Sequence, residues 1–187
     1  MNSNGALLFD GASRRQALIW LASEYPEHSL FPLLQGTAYA ALADIGPILL
    51  DADPDSPLHS AWSHGQPGLQ HSVWLRTCQQ PDELASSLRR RLRVRSPDGR
   101  EFWLRLADAR PLLSAWQTGQ RWPTGFWHGV SEVWLGSANG PLQAWQNETP
   151  EQDCTTRTST LNAQIKLDWP LLTALAQSYA APEPSHP

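Results

Sequence analysis

Long apolar runs are missing from this chain: the strongest, Ile45 to Leu50, is short and is broken by Gly46 and Pro47. Crossing a bilayer takes roughly 20 consecutive apolar residues, so the sequence predicts a soluble protein with no membrane insertion. Cysteine is scarce. Cys78 and Cys154 are the only two, and neither belongs to a Cys-x-x-Cys pair or to zinc-ligand spacing, which fits free thiols in a reducing compartment. Charge is thin, at 17% of residues, and has no basic excess, the formal net charge being -4. Without a positive field the chain lacks the term that supplies most non-specific affinity for phosphate backbones, so nucleic acid is not an expected partner. The start, Met1 to Gly5, carries no basic residue and leads into only four apolar ones, so no secretory signal is expected. Catalytic fingerprints are absent too: no Gly-x-Ser-x-Gly, no His-Glu-x-x-His, no glycine-rich phosphate loop and no internal repeat.

What is there is enough for one core. With 187 residues, 41% of them hydrophobic, the chain can bury a single substantial interior. Its ten tryptophans each join a large apolar surface to one N–H that wants a partner. Such residues suit cores and interfaces alike, and about two thirds are expected in packing, the rest as anchors for a partner.

Local patterns outline alternating strands and helices. Ala6 to Phe9 reads as a buried strand ended by Asp10-Gly11. A helix follows, with Ser13 as N-cap and Ala17, Leu18, Leu21 and Ala22 on one face, stopped by Pro26. Ser29 to Leu34 suggests a second strand, Thr37 to Ala43 a short helix, and Ile48 to Leu50 another buried strand. Ser56-Pro57 opens a brief helix through Trp62; Val73 to Leu75 is a strand. Pro81-Asp82-Glu83 starts an amphipathic helix carrying Leu84 and Leu88 and ending near Arg91. Ser96-Pro97-Asp98-Gly99 is a turn between Leu92 and Val94 on one side and Phe102, Leu104 and Leu106 on the other, which makes a hairpin. Pro111 to Gln120 is a further helix, and Val133 to Leu135 the last strand. From Asn147 to Thr160 nearly every residue is polar, without a period, so a linker or mobile tail is expected. Asp168 caps a short helix over 169–178, and a disordered end follows. The fold expected is α/β in the mixed α+β sense: one domain with a central mixed sheet of about five or six strands and flanking helices.

Three polar groupings invite chemistry. Asp51, Asp53 and Asp55 alternate as calcium ligands do, but Ser56 stands where the loop needs glycine and Trp62 where it needs glutamate. His59, His64 and His71 lie at spacings that match no metal pattern; with an acid from Asp51 to Asp55 they make a small hydrolase the enzymatic alternative. Neither grouping is assigned a catalytic, metal or cofactor role. The sharper groupings suit binding: Arg89, Arg90, Arg91, Arg93 and Arg95 as a face that receives carboxylates, and Trp103, Arg105, Asp108 and Arg110 at a strand-to-turn corner.

Taken together, several segments resemble one family. They are Leu8-Phe9-Asp10-Gly11, the stretch Ala41 to Leu49 with its Gly46-Pro47, and Val73-Trp74-Leu75. The strongest block runs from Asp82 to Arg90, then Pro97-Asp98-Gly99, Leu104-Arg105 and Asp108-Ala109-Arg110. This order is similar to the type VI secretion adaptor or chaperone family, a domain of unknown function encoded beside spike and effector genes, over about residues 7–135. Ala109 departs from that family's usual proline, and the second helical lobe of many members has no counterpart here. The resemblance implies an adaptor domain over 1–146, followed by the polar segment 147–187. It also implies a cytoplasmic location in a Gram-negative bacterium, no catalysis and no cofactor. The implied partners are an effector protein and the VgrG spike or its PAAR tip. Trp103, Arg105, Asp108, Arg110, Arg89, Arg90 and Arg93 are the expected contacts. An immunity protein that binds a toxin is the other binding alternative.

Overall fold

A computed structural model describes residues 4–156 and 161–177. Its centre is a six-stranded sheet in the order β2-β3-β1-β4-β7-β8, with β1 Asn4–Asp10, β2 Leu30–Pro32, β3 Pro47–Asp51, β4 Val73–Thr77, β7 Val130–Leu135 and β8 Leu142–Gln146. Every pairing in it is antiparallel. The one parallel pairing lies in a second sheet of three strands, β6-β5-β9, built from β5 Arg93–Arg95, β6 Glu101–Trp103 and β9 Ile165–Lys166. The fold is thus the expected mixed α/β single domain with six central strands, but the central sheet is antiparallel throughout rather than mixed, the one parallel pair lying in the small sheet.

The period of two along each strand sorts the core into two layers. Ala6, Leu8, Leu49, Val73, Leu75, Val133 and Leu135 face one side, where α3 Pro81–Arg89, α4 Ala109–Gln117 and α5 Trp169–Gln177 supply Leu84, Leu88, Leu112 and Leu171. Leu7, Phe9, Ile48, Leu50 and Trp74 face the other, against Ala17 and Leu21 of α1 Ala17–Glu24 and Leu58 and Trp62 of α2 Pro57–Ser63. Burial on both faces makes β1 a central strand, and each fully enclosed leucine in it stabilises the fold by about 1.5–3 kcal/mol.

Several boundaries differ from the sequence reading for identifiable reasons. Ser13 does not cap α1. It closes a 3-10 turn at Gly11–Ser13, its hydroxyl donating to the Asp10 carbonyl at 2.6 Å, and the helix begins at Ala17. The Leu18 N–H is met instead by the Asp44 carboxylate at 2.8 Å, a cap supplied from a distant segment. The helix expected from Thr37 shrinks to one 3-10 turn, Ala40–Leu42. Two strands went unforeseen: β8, whose half-buried pattern is weak, and β9, which is two residues long.

The segment after Asn147, expected as a linker or tail, is fastened to the body as far as Thr156. The Asn147 amide donates to the carbonyls of Trp127 and Val130 at 3.0 and 2.9 Å, and Asp153 receives two arginines. Further along the chain Leu161, Ile165 and Leu167 are buried. Side-chain hydrogen bonds hold the polar stretch without any apolar period, so hydropathy is blind to it. The expected helix over 169–178 forms as Trp169–Gln177, and the expected disordered end lies outside the described residues.

Candidate functional site

Three of the motif segments meet at one corner. Gly11 N–H donates to the Gly46 carbonyl at 3.0 Å, and a Cβ on Gly11 would lie 2.3 Å from the Asp44 carbonyl oxygen, so only glycine admits this approach. Asp10, beside it, pairs with Arg105. Arg105 also reaches Asp108 at 3.2 Å, and Arg110 grips Asp108 with two bonds of 2.9 and 3.0 Å. Asp108 is 2% exposed and caps α4 by accepting from the Arg110 N–H, while the Ala109 N–H is bound to the His71 carbonyl at 2.8 Å. A buried carboxylate with this many charge-assisted bonds is a fixed corner post. It anchors the strand end from which Trp103, Leu104 and Arg105 project.

Two apolar grooves open on either side of that strand end. One, of about 430 Å³, runs between β6 and α5 and is walled by Phe102, Trp103, Leu104, Trp169 and Leu172. The other, of about 310 Å³, lies between the same strand end and the Gly46-Pro47 segment, walled by Leu34, Leu42, Ile45 and Trp103. Trp103 is 49% exposed; Trp169 is 41% and Ile45 53% exposed. Large apolar side chains left open around concave surfaces are features of binding sites rather than of ordinary surface. The exposed Trp103 ring is held in place, edge-on to Tyr39 at 5.1 Å and with the Arg93 guanidinium 5.6 Å above it. Arg93 is in turn fixed by Glu101. Of the ten tryptophans only Trp103, Trp116 and Trp169 are exposed, close to the division expected.

The expected arginine face does not exist as one surface. Trp103 and Arg105 line the grooves, Arg93 lies over the Trp103 ring, and Asp108 with Arg110 stands behind Arg105 without reaching either groove. Arg89 instead turns inward and donates to the Leu33 carbonyl at 2.6 Å. Arg90 is buried and binds Asp153 at 3.0 Å, Thr155 at 2.9 Å and the Ser86 carbonyl. Neither is placed to receive a partner's carboxylate. Arg91 is 0% exposed, and donates to the carbonyls of Phe126, Gly125 and Ser87 and to Asp153 at 2.7 Å. Three consecutive arginines on a helix end cannot share one face, because each residue turns the direction by about 100°. Burial pushes the Arg91 guanidinium down and Asp153 partly restores it. Burial alone would raise the Asp153 carboxyl, but hydrogen bonds from Thr155 and the charge of Arg91 outweigh it and hold the group well below the usual carboxylate range.

The other polar groupings are pulled apart by their local partners. Asp51 accepts from the Ser29 N–H and Asp53 from the Gly5 N–H, so their carboxylates serve backbone segments rather than one ion. His59 lies against the Trp74 ring at 4.7 Å, where burial lowers its pKa and Asp55 opposes the shift. His64 binds the Ser60 carbonyl at 2.7 Å, and His71 is exposed. Among the described residues no group of three or more His, Cys, Asp or Glu is placed to hold a metal ion. Sequence reasoning missed Leu42, Ile45 and Trp169. Their only signal is a large apolar residue next to a helix-breaking Gly-Pro or at a helix start.

These features define a mixed α/β domain that presents a fixed, partly aromatic and concave surface. The chain belongs to the family described as Domain of unknown function (DUF4123), whose match covers residues 7–123. No curated protein and no solved structure matches it. Among the described residues no helix is long and apolar enough to cross a membrane.

Proposed function

We propose that this protein is a non-catalytic, cytoplasmic adaptor that binds a type VI secretion effector and presents it to the VgrG spike or its PAAR tip. The observation that supports this most is the use made of the motif residues. Asp10, Gly11, Gly46, Arg105 and Asp108 build a corner, and that corner holds an exposed tryptophan over two apolar grooves. Fixed geometry of that kind suits recognition: a rigid aromatic anchor loses little freedom on binding and gains a large contact area.

The test is recovery of partners from cells that carry the neighbouring effector and spike genes. Tagged protein is expected to retain both, and Trp103→Ala to weaken effector retention by about 2 kcal/mol, a factor near 30. The variant stays folded and loses only the stability of the ring's contacts with Tyr39 and Arg93, read from the unfolding midpoint. Retention of neither partner by the unaltered protein would end the adaptor reading. Deleting the gene separates the two binding roles, because loss of an adaptor stops effector export whereas loss of an immunity protein leaves the cell sensitive to its own toxin.

A further inference from the structure

The dipeptide Asn-Gly occurs twice, at Asn4-Gly5 and at Asn139-Gly140, and the fold gives the two copies opposite surroundings. The pair matters chemically because glycine has no side chain to hinder its nitrogen. That nitrogen can attack the side-chain amide carbon of the asparagine before it. A bond forms between the glycine N and the asparagine Cγ, the Cγ–Nδ2 bond breaks, and ammonia leaves with the proton of the glycine N–H. Water then opens the resulting cyclic imide at either carbonyl. Opening at Cγ leaves an ordinary aspartate; opening at the main-chain carbonyl leaves isoaspartate, whose main chain runs through Cβ and Cγ.

Closing that ring needs a nitrogen that can leave its hydrogen bond and room for the main chain to turn. Asn4-Gly5 offers neither. It lies in β1, paired with Thr77 and Arg76 of β4. The Gly5 N–H donates to the Asp53 carboxylate at 3.1 Å and its carbonyl accepts from the Ala52 N–H at 2.9 Å. A Cβ on Gly5 would lie 2.3 Å from the Ala52 carbonyl oxygen. Asn139-Gly140 offers both. Asn139 is exposed, in the turn that joins β7 to β8. The Gly140 N–H donates to the Ser137 carbonyl at 3.1 Å. The Ser137 hydroxyl donates to the Gly140 carbonyl at 2.6 Å and accepts from the Asn139 N–H at 3.3 Å. All three bonds lie within four residues, so they open without any strand leaving the sheet. Gly140 has φ +98°, and among the described residues no atom beyond its chain neighbours lies within 4 Å of a Cβ built on it.

We infer that Asn139 is a site of self-modification: in the folded protein it loses its amide to attack by the Gly140 nitrogen, while Asn4 keeps its own. The consequential product is isoaspartate, because it adds a carbon to the main chain beside the Leu135↔Leu142 pair, where β7 and β8 are held in register. Strand β8 ends the sheet order, with β7 as its one strand neighbour among the described residues. It carries Trp145 against Trp122 and Trp127, ring centroids 5.7 and 6.3 Å apart. A lengthened turn loosens that edge.

The test keeps the full chain for days in warm, mildly alkaline water enriched in oxygen-18. Digestion and fragmentation in the mass spectrometer then assign each heavy-oxygen acid to its residue. Asn139 is expected to convert at least about tenfold faster than Asn4 in the folded protein, with isoaspartate the larger product. In urea the two rates should come within about twofold of each other, because the unfolded chain removes the difference in surroundings. An Asn139 that keeps its amide while the unfolded chain reacts overturns the proposal, and so do equal rates in the folded protein. Asn139→Asp carries the new charge without the extra carbon. Amides of β8 should exchange hydrogen about fivefold faster in the aged isoaspartate protein than in that variant; equal exchange overturns the loosening of β8.

Discussion

At the scale of single residues the fold depends on a few that carry no hydrophobic signal. Asp153 sits in the stretch that looked like linker, yet it is the counter-charge of Arg91, which has no exposed surface at all. Its carboxyl is held low in the folded protein, so its contribution is complete above the ordinary carboxylate range and is lost as the pH falls. Below about pH 4 the unfolded chain takes up a proton that the folded one refuses. Asp153→Asn is expected to cost about 3–5 kcal/mol at pH 7, because it strands a buried guanidinium, and to flatten the acid side of the stability curve. Urea midpoints between pH 7 and about pH 2.5 measure both; an unchanged acid slope in the variant would assign the loss to other carboxylates. Gly11 is a second such residue. A methyl group there runs into the Asp44 and Gly46 carbonyls, and Gly11→Ala should lower stability by about 1–3 kcal/mol, read from the thermal midpoint. Neither role is legible in the sequence, since a glycine in a turn and an aspartate in a polar run look the same whether or not something leans on them.

At the scale of elements the readable parts were those with local causes. The hairpin between β5 and β6 follows from Pro97 and Gly99: the Gly99 N–H returns to the Ser96 carbonyl at 3.0 Å and its φ is +87°, which only glycine adopts freely. The helix α3 shows Pro81 and two acids in its first turn and Arg89 in its last, all visible beforehand. Elements with remote causes were not readable. The α1 helix starts late because Asp44 caps it, and α4 starts two residues before Pro111 because Asp108 caps it. The second case carries a prediction. Proline suits the first position of a helix, but the Ala109 N–H is bound to His71. Ala109→Pro gains chain stiffness and loses that bond, leaving a carbonyl unpaired, so it should destabilise by about 1 kcal/mol. A higher melting temperature would show that the His71 contact contributes nothing.

At the scale of the whole molecule the site was legible in its centre and not in its extent. Trp103, Arg105 and Asp108 were singled out because turn, strand and motif coincide there, whereas Asp10 was read only as the end of a strand. The walls from Leu42, Ile45 and α5 come from segments far away in sequence, and no local pattern brings them together. Arg89 and Arg90 were read as surface because charge usually is, and the packing of α3 decided otherwise. The sheet order has a practical corollary for where this chain can be divided. Family likeness ends at residue 123, but β4 has β7 as its neighbour and β5 has β9, and both of those strands come afterwards. A chain severed at 123 would carry two raw, sticky margins through its middle and should precipitate or pair with copies of itself, seen as large species in size-exclusion chromatography. The unit that evolution repeats and the unit that hydrogen bonds close are here different lengths of polypeptide.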